Sequence, residues 1–119
     1  MKKRIPINTK DSIYFIFPDE VVYCKSEYSS TIIFLENSEI VTVSIEINDI
    51  EKLLKGNNFI RPHQSYLVNR NFVKRIDMDG DYALILTNQM TIPLANQRRD
   101  EILNLIETTP NRIIENLNN

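Results

Sequence analysis

Residues 20–43 read EVVYCKSEYSSTIIFLENSEIVTV, and the reading of this stretch decides the fold. β-Branched and aromatic residues crowd into three runs, 20–25, 31–36 and 39–43. Each run is too short for a helix, and turn-forming residues stop each one. The polar residues from Ser26 to Ser30 make a loop between the first two runs. Asn37-Ser38 makes a hairpin turn between the second and third. Three successive short strands start a β domain, not an alternating α/β one.

Working outward, residues 12–17 (SIYFIF) form a further strand that Pro18-Asp19 stops. After Ser44 the apolar period changes. Ile47, Ile50, Leu53 and Leu54 fall at helical spacing, and Gly56 stands where a helix C-terminus needs a left-handed residue. A short helix over about 46–55 is predicted. Residues 59–61 are extended, because proline pushes the preceding residue out of the helical region. Residues 72–77 and 82–87 are strands joined through DMDGD, and 90–94 closes a hairpin through Asn88-Gln89. Asn96 is positioned to cap a helix over about 97–107, with Ile102, Leu105 and Ile106 on its inner face. Thr109-Pro110 starts a short tail helix that uses Ile113, Ile114 and Leu117. The predicted class is mainly β: a small antiparallel β-sandwich-like domain of short strands, with one short central helix and one or two C-terminal helices. The 119 residues suit one domain, with a core over about 10–107 and a helical tail over 108–119.

No apolar run approaches membrane-spanning length, so no membrane partner is expected. The opening MKKRIPINTKDS has no apolar stretch behind its charges and does not read as a signal peptide. The one cysteine, Cys24, cannot form an internal disulfide, and the expected location is cytoplasmic. The net charge of −2 hides a segregation. From Asp11 to Glu51 there are nine acids and one base, Lys25. From Lys52 to Ile76 there are six bases (Lys52, Lys55, Arg61, Arg70, Lys74, Arg75) and no acid. Local field, more than net charge, steers a polyanion to a surface.

Catalytic chemistry finds little to work with. One histidine and one cysteine leave no nitrogen–sulfur zinc cage, and two isolated glycines make no phosphate loop. His63 and Ser65 share a face in an extended strand, and Asp77 could orient the imidazole, but no oxyanion site accompanies them. Asp77, Asp79 and Asp81 resemble a clipped calcium loop. Its glycine, Gly80, is misplaced and no closing glutamate follows, so a polar hairpin turn fits better. No enzyme activity, cofactor or metal is expected.

The stretch FIRPHQSYLVNRN (59–71) combines apolar anchors with groups that recognise anions and bases. Phe59, Ile60, Tyr66, Leu67 and Val68 belong in a core. Arg61, His63, Gln64 and Asn69 can then project from one rigid piece of backbone. Arginine reads guanine bidentately, glutamine and asparagine read adenine, and histidine and serine give shorter donors. The plainer alternative has Arg61 and His63 satisfying neighbouring carboxylates, with Asn69 bonding its local backbone.

The longer stretch FIRPHQSYLVNRNFVKRID (59–77) resembles the signature of the LytTR family of DNA-binding domains, F-x-R-x-H-[RQN]-S-[YF]-L-V-N. Upstream, DEVVYCKSEYSSTIIFLEN (19–37) is similar to the family's strand–loop–strand, and IEINDIEKLL (45–54) to its short helix. Downstream, GDYALILTNQMTIPLANQRRDEIL (80–103) is similar to its final hairpin and basic helix, so the resemblance covers about 10–107. It implies sequence-specific binding of duplex DNA in transcription regulation, through loops and not a recognition helix. The implied loops are 27–30, 61–65 and 95–99. Tyr28, Ser29 and Ser30 are the implied contacts in the first, Arg61, His63, Gln64 and Ser65 in the second, and Asn96, Arg98 and Arg99 in the third. Arg61, Arg98 and Arg99 would anchor phosphates while His63, Gln64 and Asn96 read base edges in successive major grooves. Asn69 matches the signature as a structural turn residue.

This chain departs from the family pattern in three places. Gln64 and Asn96 stand where arginine is common, and Glu27 brings an acid to the first loop. Bacterial family members usually carry the domain behind the receiver of a two-component response regulator, so a stand-alone regulator or an output domain is expected. Binding to promoter repeats as a homodimer or tandem pair would follow the family. The competing function is a protein-interaction module that uses the acidic 11–51 half.

Overall fold

The computed structural model describes residues 3–107; the expected tail helix after Thr109 lies outside the described residues. Ten strands and two α-helices follow one another: β1 (Ile5–Asn8), β2 (Ile13–Ile16), β3 (Val21–Glu27), β4 (Ser30–Leu35), β5 (Ile40–Val43), α1 (Ile47–Leu53), β6 (Phe59–His63), β7 (Tyr66–Asn69), β8 (Val73–Asp77), β9 (Ala83–Leu86), β10 (Thr91–Pro93) and α2 (Arg99–Glu107). Every pairing is antiparallel. The central sheet has the order β5-β4-β3-β7-β6; β10-β9-β8 form a second sheet and β1-β2 a third.

The central sheet has a core on each face because successive side chains of a strand point to opposite sides. Leu67 joins Ile7, Ile16, Cys24, Ile33, Ile50 and Leu54 on one face, under β1, β2 and α1. Val68, the next residue, joins Tyr23, Ile60, Leu84, Leu86, Ile92 and Ile102 on the other, under the second sheet and α2. The sandwich-like expectation is thus met, with an extra helix-and-hairpin layer outside it.

Side chains set the turns. Asn37 Oδ1 accepts the Glu39 N–H at 2.9 Å around Ser38, whose φ is +74°. Asn88 Oδ1 accepts the Met90 N–H at 3.0 Å around Gln89, at φ +71°. An asparagine oxygen standing in for a backbone carbonyl makes each hairpin turn where the sequence predicts it. Gly56 (φ +85°) ends the α1 region and Gly80 (φ +69°) turns the β8–β9 connection, both in the left-handed region that suits glycine.

Several boundaries move. β3 runs two residues past the predicted end, because Ser26 and Glu27 pair with Thr31 and Ser30 of β4. Residues 66–69, to which the sequence reading gave no element, are a strand. β1 was not expected at all: its Pro6 lacks an N–H, which a strand in a two-stranded ribbon tolerates. Asn96 does not cap a helix directly. A 3₁₀ turn, Asn96–Arg98, comes first, with Ala95 at its N-cap, and α2 starts at Arg99. On α2, Ile102 is buried, whereas Leu105 is 39% exposed at the edge of the expected inner face.

Candidate nucleic-acid interface

The three loops singled out from the sequence meet at one end of the central sheet. Lys25 lies opposite Tyr66 in the β3–β7 ladder, so the β3–β4 turn and the β6–β7 turn stand side by side. The first is a two-residue turn, Tyr28-Ser29, closed by the Glu27–Ser30 pair. Tyr28 is 99% exposed at φ +57°. The second is the two-residue turn Gln64-Ser65, closed by the His63–Tyr66 pair. The Ser26 N–H donates to the Ser65 carbonyl at 2.8 Å and ties the two turns together. The third loop joins through the Ala95 N–H, which donates to the Pro62 carbonyl at 2.9 Å, and through Arg98 Nη1, which donates to the Arg61 carbonyl at 2.9 Å. A shallow polar groove of about 300 Å³ runs between the first two turns and the start of α1, lined by Ser26, Tyr28, Asn48, Arg61, Gln64 and Ser65 among others.

A β-bulge shapes the middle loop. Ile60 pairs with Val68 and His63 with Tyr66, so β6 spends one more residue than β7 between the two rungs. The extra residue falls at Arg61-Pro62, where proline has no ladder N–H to lose. The bulge turns Arg61 inward. It is 8% exposed, and its Nε donates to the His63 carbonyl at 3.2 Å, its Nη2 to the Gln64 carbonyl at 2.5 Å and its Nη1 to Glu51 Oε1 at 2.7 Å. Arg61, expected to project from the loop, is instead turned in, and its buried charge is held by internal partners, the Glu51 carboxylate among them.

His63 is held differently. Its Nδ1 accepts the Ser65 N–H at 3.0 Å, and its ring meets Tyr66 edge-on at 5.8 Å. A neutral imidazole that accepts at Nδ1 carries its proton on Nε2, so the free edge is a donor. Gln64 is exposed at the tip, and Ser65 is half-buried. In the first loop Ser29 is exposed and Ser30 half-buried.

In the third loop Asn96 is exposed, and its Oδ1 accepts Arg99 Nη2 at 2.8 Å. That leaves the carboxamide NH₂ outward, a donor and not the two-way adenine reader that a free asparagine would be. The Arg99 guanidinium lies over the Tyr82 ring, 3.7 Å from its centroid. The ring and the Asn96 oxygen hold the guanidinium in place, with its Nε buried. Tyr82 and Glu51 are the site residues that sequence reasoning missed. Each sits on a different element from the arginine it holds, and no spacing rule links them.

Asn69 is structural. It is fully buried, donates from Nδ2 to the Val21 carbonyl at 3.0 Å, and accepts the Asn71 N–H at 3.0 Å. The basic run from Lys52 to Ile76 does not form one patch. Lys52 and Lys55 lie on or just after α1, Arg70 holds the Leu105 carbonyl and Asn58, and Arg75 pairs with Asp77. Among the described residues, no group of three or more His, Cys, Asp or Glu side chains could hold a metal ion.

Residues 11–107 match the sequence model of the LytTr DNA-binding domain. The chain belongs to the LytTR family. Sensory transduction protein LytT of Oceanobacillus iheyensis is 27% identical over 96 residues, 77% of this chain and 39% of that protein. The protein of the same name from Enterococcus faecalis is 28% identical over 93 residues, 76% of this chain and 38% of that protein. The chain thus spans about two-fifths of the length of these LytTR relatives. A solved structure described as the LytTr DNA-binding domain of a Bacillus cereus response regulator superposes with a TM-score of 0.73. It covers 89% of this chain and 98% of that one at 24% identity, a likeness of fold. The β-rich architecture is that of the LytTR family. No helix among the described residues is long and apolar enough to cross a membrane.

Proposed function

We propose that this LytTR domain binds duplex DNA sequence-specifically, with the three-loop end of the central sheet as the contact surface. DNA binding in transcription regulation is what family membership supports. The observation that carries the finer reading is the hydrogen-bonded union of the three loops, which presents His63, Gln64, Asn96 and Tyr28 from one rigid end. Pre-organised donors lose little entropy on binding. His63 Nε2–H and the Gln64 carboxamide read base edges, and the Asn96 NH₂ donates to an acceptor at the groove floor or wall. Arg98 and Arg99 neutralise phosphates, and the hydroxyls of Tyr28, Ser29 and Ser30 add backbone contacts. Ser65 fixes His63 through its N–H and offers its own hydroxyl to the same surface.

The joined loops would reach into successive major grooves, and direct promoter repeats would seat copies of the domain as a dimer or a tandem pair. The relatives are sensory transduction proteins, and the corresponding role for this chain is the output part of a cytoplasmic bacterial regulator. The test is selection from a pool of randomised duplexes. Enrichment of a defined site, weakened by His63→Ala, is expected. No enrichment over repeated rounds would overturn sequence specificity and favour the protein-interaction role of the acidic half.

A further inference from the structure

We propose that Glu51 and Arg61 are positioning residues for DNA recognition, which set the shape of the Gln64-Ser65 turn without touching DNA themselves. The inference rests on the reading that this end of the sheet meets DNA. Arg61 links the middle loop, the third loop and α1. Its side chain holds the carbonyls of His63 and Gln64, its own carbonyl holds Arg98, and its guanidinium reaches across to Glu51 on α1. The Gln64 carbonyl lies inside the two-residue turn and outside the ladder, so the guanidinium fork supplies the donor that fixes it, beside the His63 carbonyl of the closing pair. Which way Gln64 points, and where the imidazole of His63 stands, follows from those fixed carbonyls.

Glu51 makes the arrangement stable. The Arg61 side chain is 9% exposed and the Glu51 side chain 45%, so the carboxylate is the wet end of a half-buried ion pair. An unpaired buried cation is costly. Without Glu51 the guanidinium would gain by swinging toward water or a phosphate, and it would then release the turn. Lysine cannot substitute, because one ammonium cannot serve three acceptors in a planar fork.

The sign of the effect separates this role from plain electrostatics. Glu51 is an acid in a DNA-binding domain, so removing it should strengthen binding through the general field. A positioning role requires the opposite for the specific site.

The test uses the full chain with Glu51→Gln, Glu51→Ala and Arg61→Lys. Affinity is measured for the duplex that the wild type enriches and for a scrambled duplex of equal length, over a salt series. Amide NMR spectra are recorded without DNA. The expected result is a loss of about tenfold or more on the enriched duplex, little change on the scrambled one, and an unchanged salt slope. The Gln64 and Ser65 amides should shift while those of Ile33 and Leu84, in the two cores, stay in place. Equal losses on both duplexes with a slope lower by about one would make Arg61 a phosphate contact and overturn the proposal. So would retained discrimination in all three variants. If Arg61→Lys fails to fold, the two Glu51 variants carry the test, because they remove only a half-exposed carboxylate. Failure of the wild type to bind any duplex would instead bring down the DNA-binding reading on which the proposal rests.

Discussion

Arg98 donates from Nη1 to the main-chain carbonyl of Arg61 at 2.9 Å, so the last loop of the chain is fastened to the hairpin 37 residues before it. The bond makes one surface of parts that the sequence keeps far apart. The two basic residues before and in α2 are held differently. Arg98 bonds the middle loop, while Arg99 stacks on Tyr82, 3.7 Å from the ring centroid, and bonds Asn96 through Nη2.

The first prediction concerns base readout. His63→Ala should reduce the ratio of specific to random affinity by about 1–3 kcal/mol, the usual value of one good base contact. Gln64→Ala should change the preferred base at one position. Competition binding with single-base variants of the enriched site checks both. An unchanged ratio for His63→Ala would remove it from the reading set.

Arg99→Ala should weaken specific and random duplexes about equally and lower the salt slope by about one. Tyr82→Leu, which takes away the ring beneath the guanidinium, should have a smaller effect in the same direction, about 0.5–1 kcal/mol. If neither variant alters the slope, Arg99 is a packing residue of the β9–α2 corner.

Asn69→Ala should destabilise the fold by about 2 kcal/mol, since the Val21 carbonyl and the Asn71 N–H both lose a buried partner. Urea unfolding measures this directly. The folded variant should keep its DNA discrimination, because Asn69 does not reach the loop end.

Cys24 is fully buried, and burial pushes its thiol up from 9.0 to about 12. The folded chain should therefore resist thiol reagents at pH 8 and react only on unfolding. The sign for stability follows from linkage. The unfolded thiol ionises first, so its contribution is complete below about pH 9 and is lost as pH rises toward 12. Cys24→Ala should flatten that part of the stability profile.

The sequence reading succeeded where the signal was local. The Asn37 and Asn88 turns, the α1 helix and the Gly56 and Gly80 positions all depend on neighbours a few residues apart, and each stands where its residue types predict. It failed where the deciding contact was distant. β1 and β7 are strands because β2 and β3 pair with them, and no four-residue run shows that by itself. Arg61 looked like an anion contact because nothing near it in sequence is acidic; Glu51 neutralises it from α1, across the chain's charge boundary. The family signature was legible because it lies in one continuous stretch. The inward turn of Arg61 appears only with the bulge at Arg61-Pro62.

The most direct test of the central claim is fluorescence anisotropy of the full chain with the enriched duplex and a scrambled control over a salt series. The account predicts binding that weakens steeply as salt rises, with the enriched duplex bound tighter than the control at every salt concentration. Binding that ignores salt, or no binding to either duplex, would contradict it.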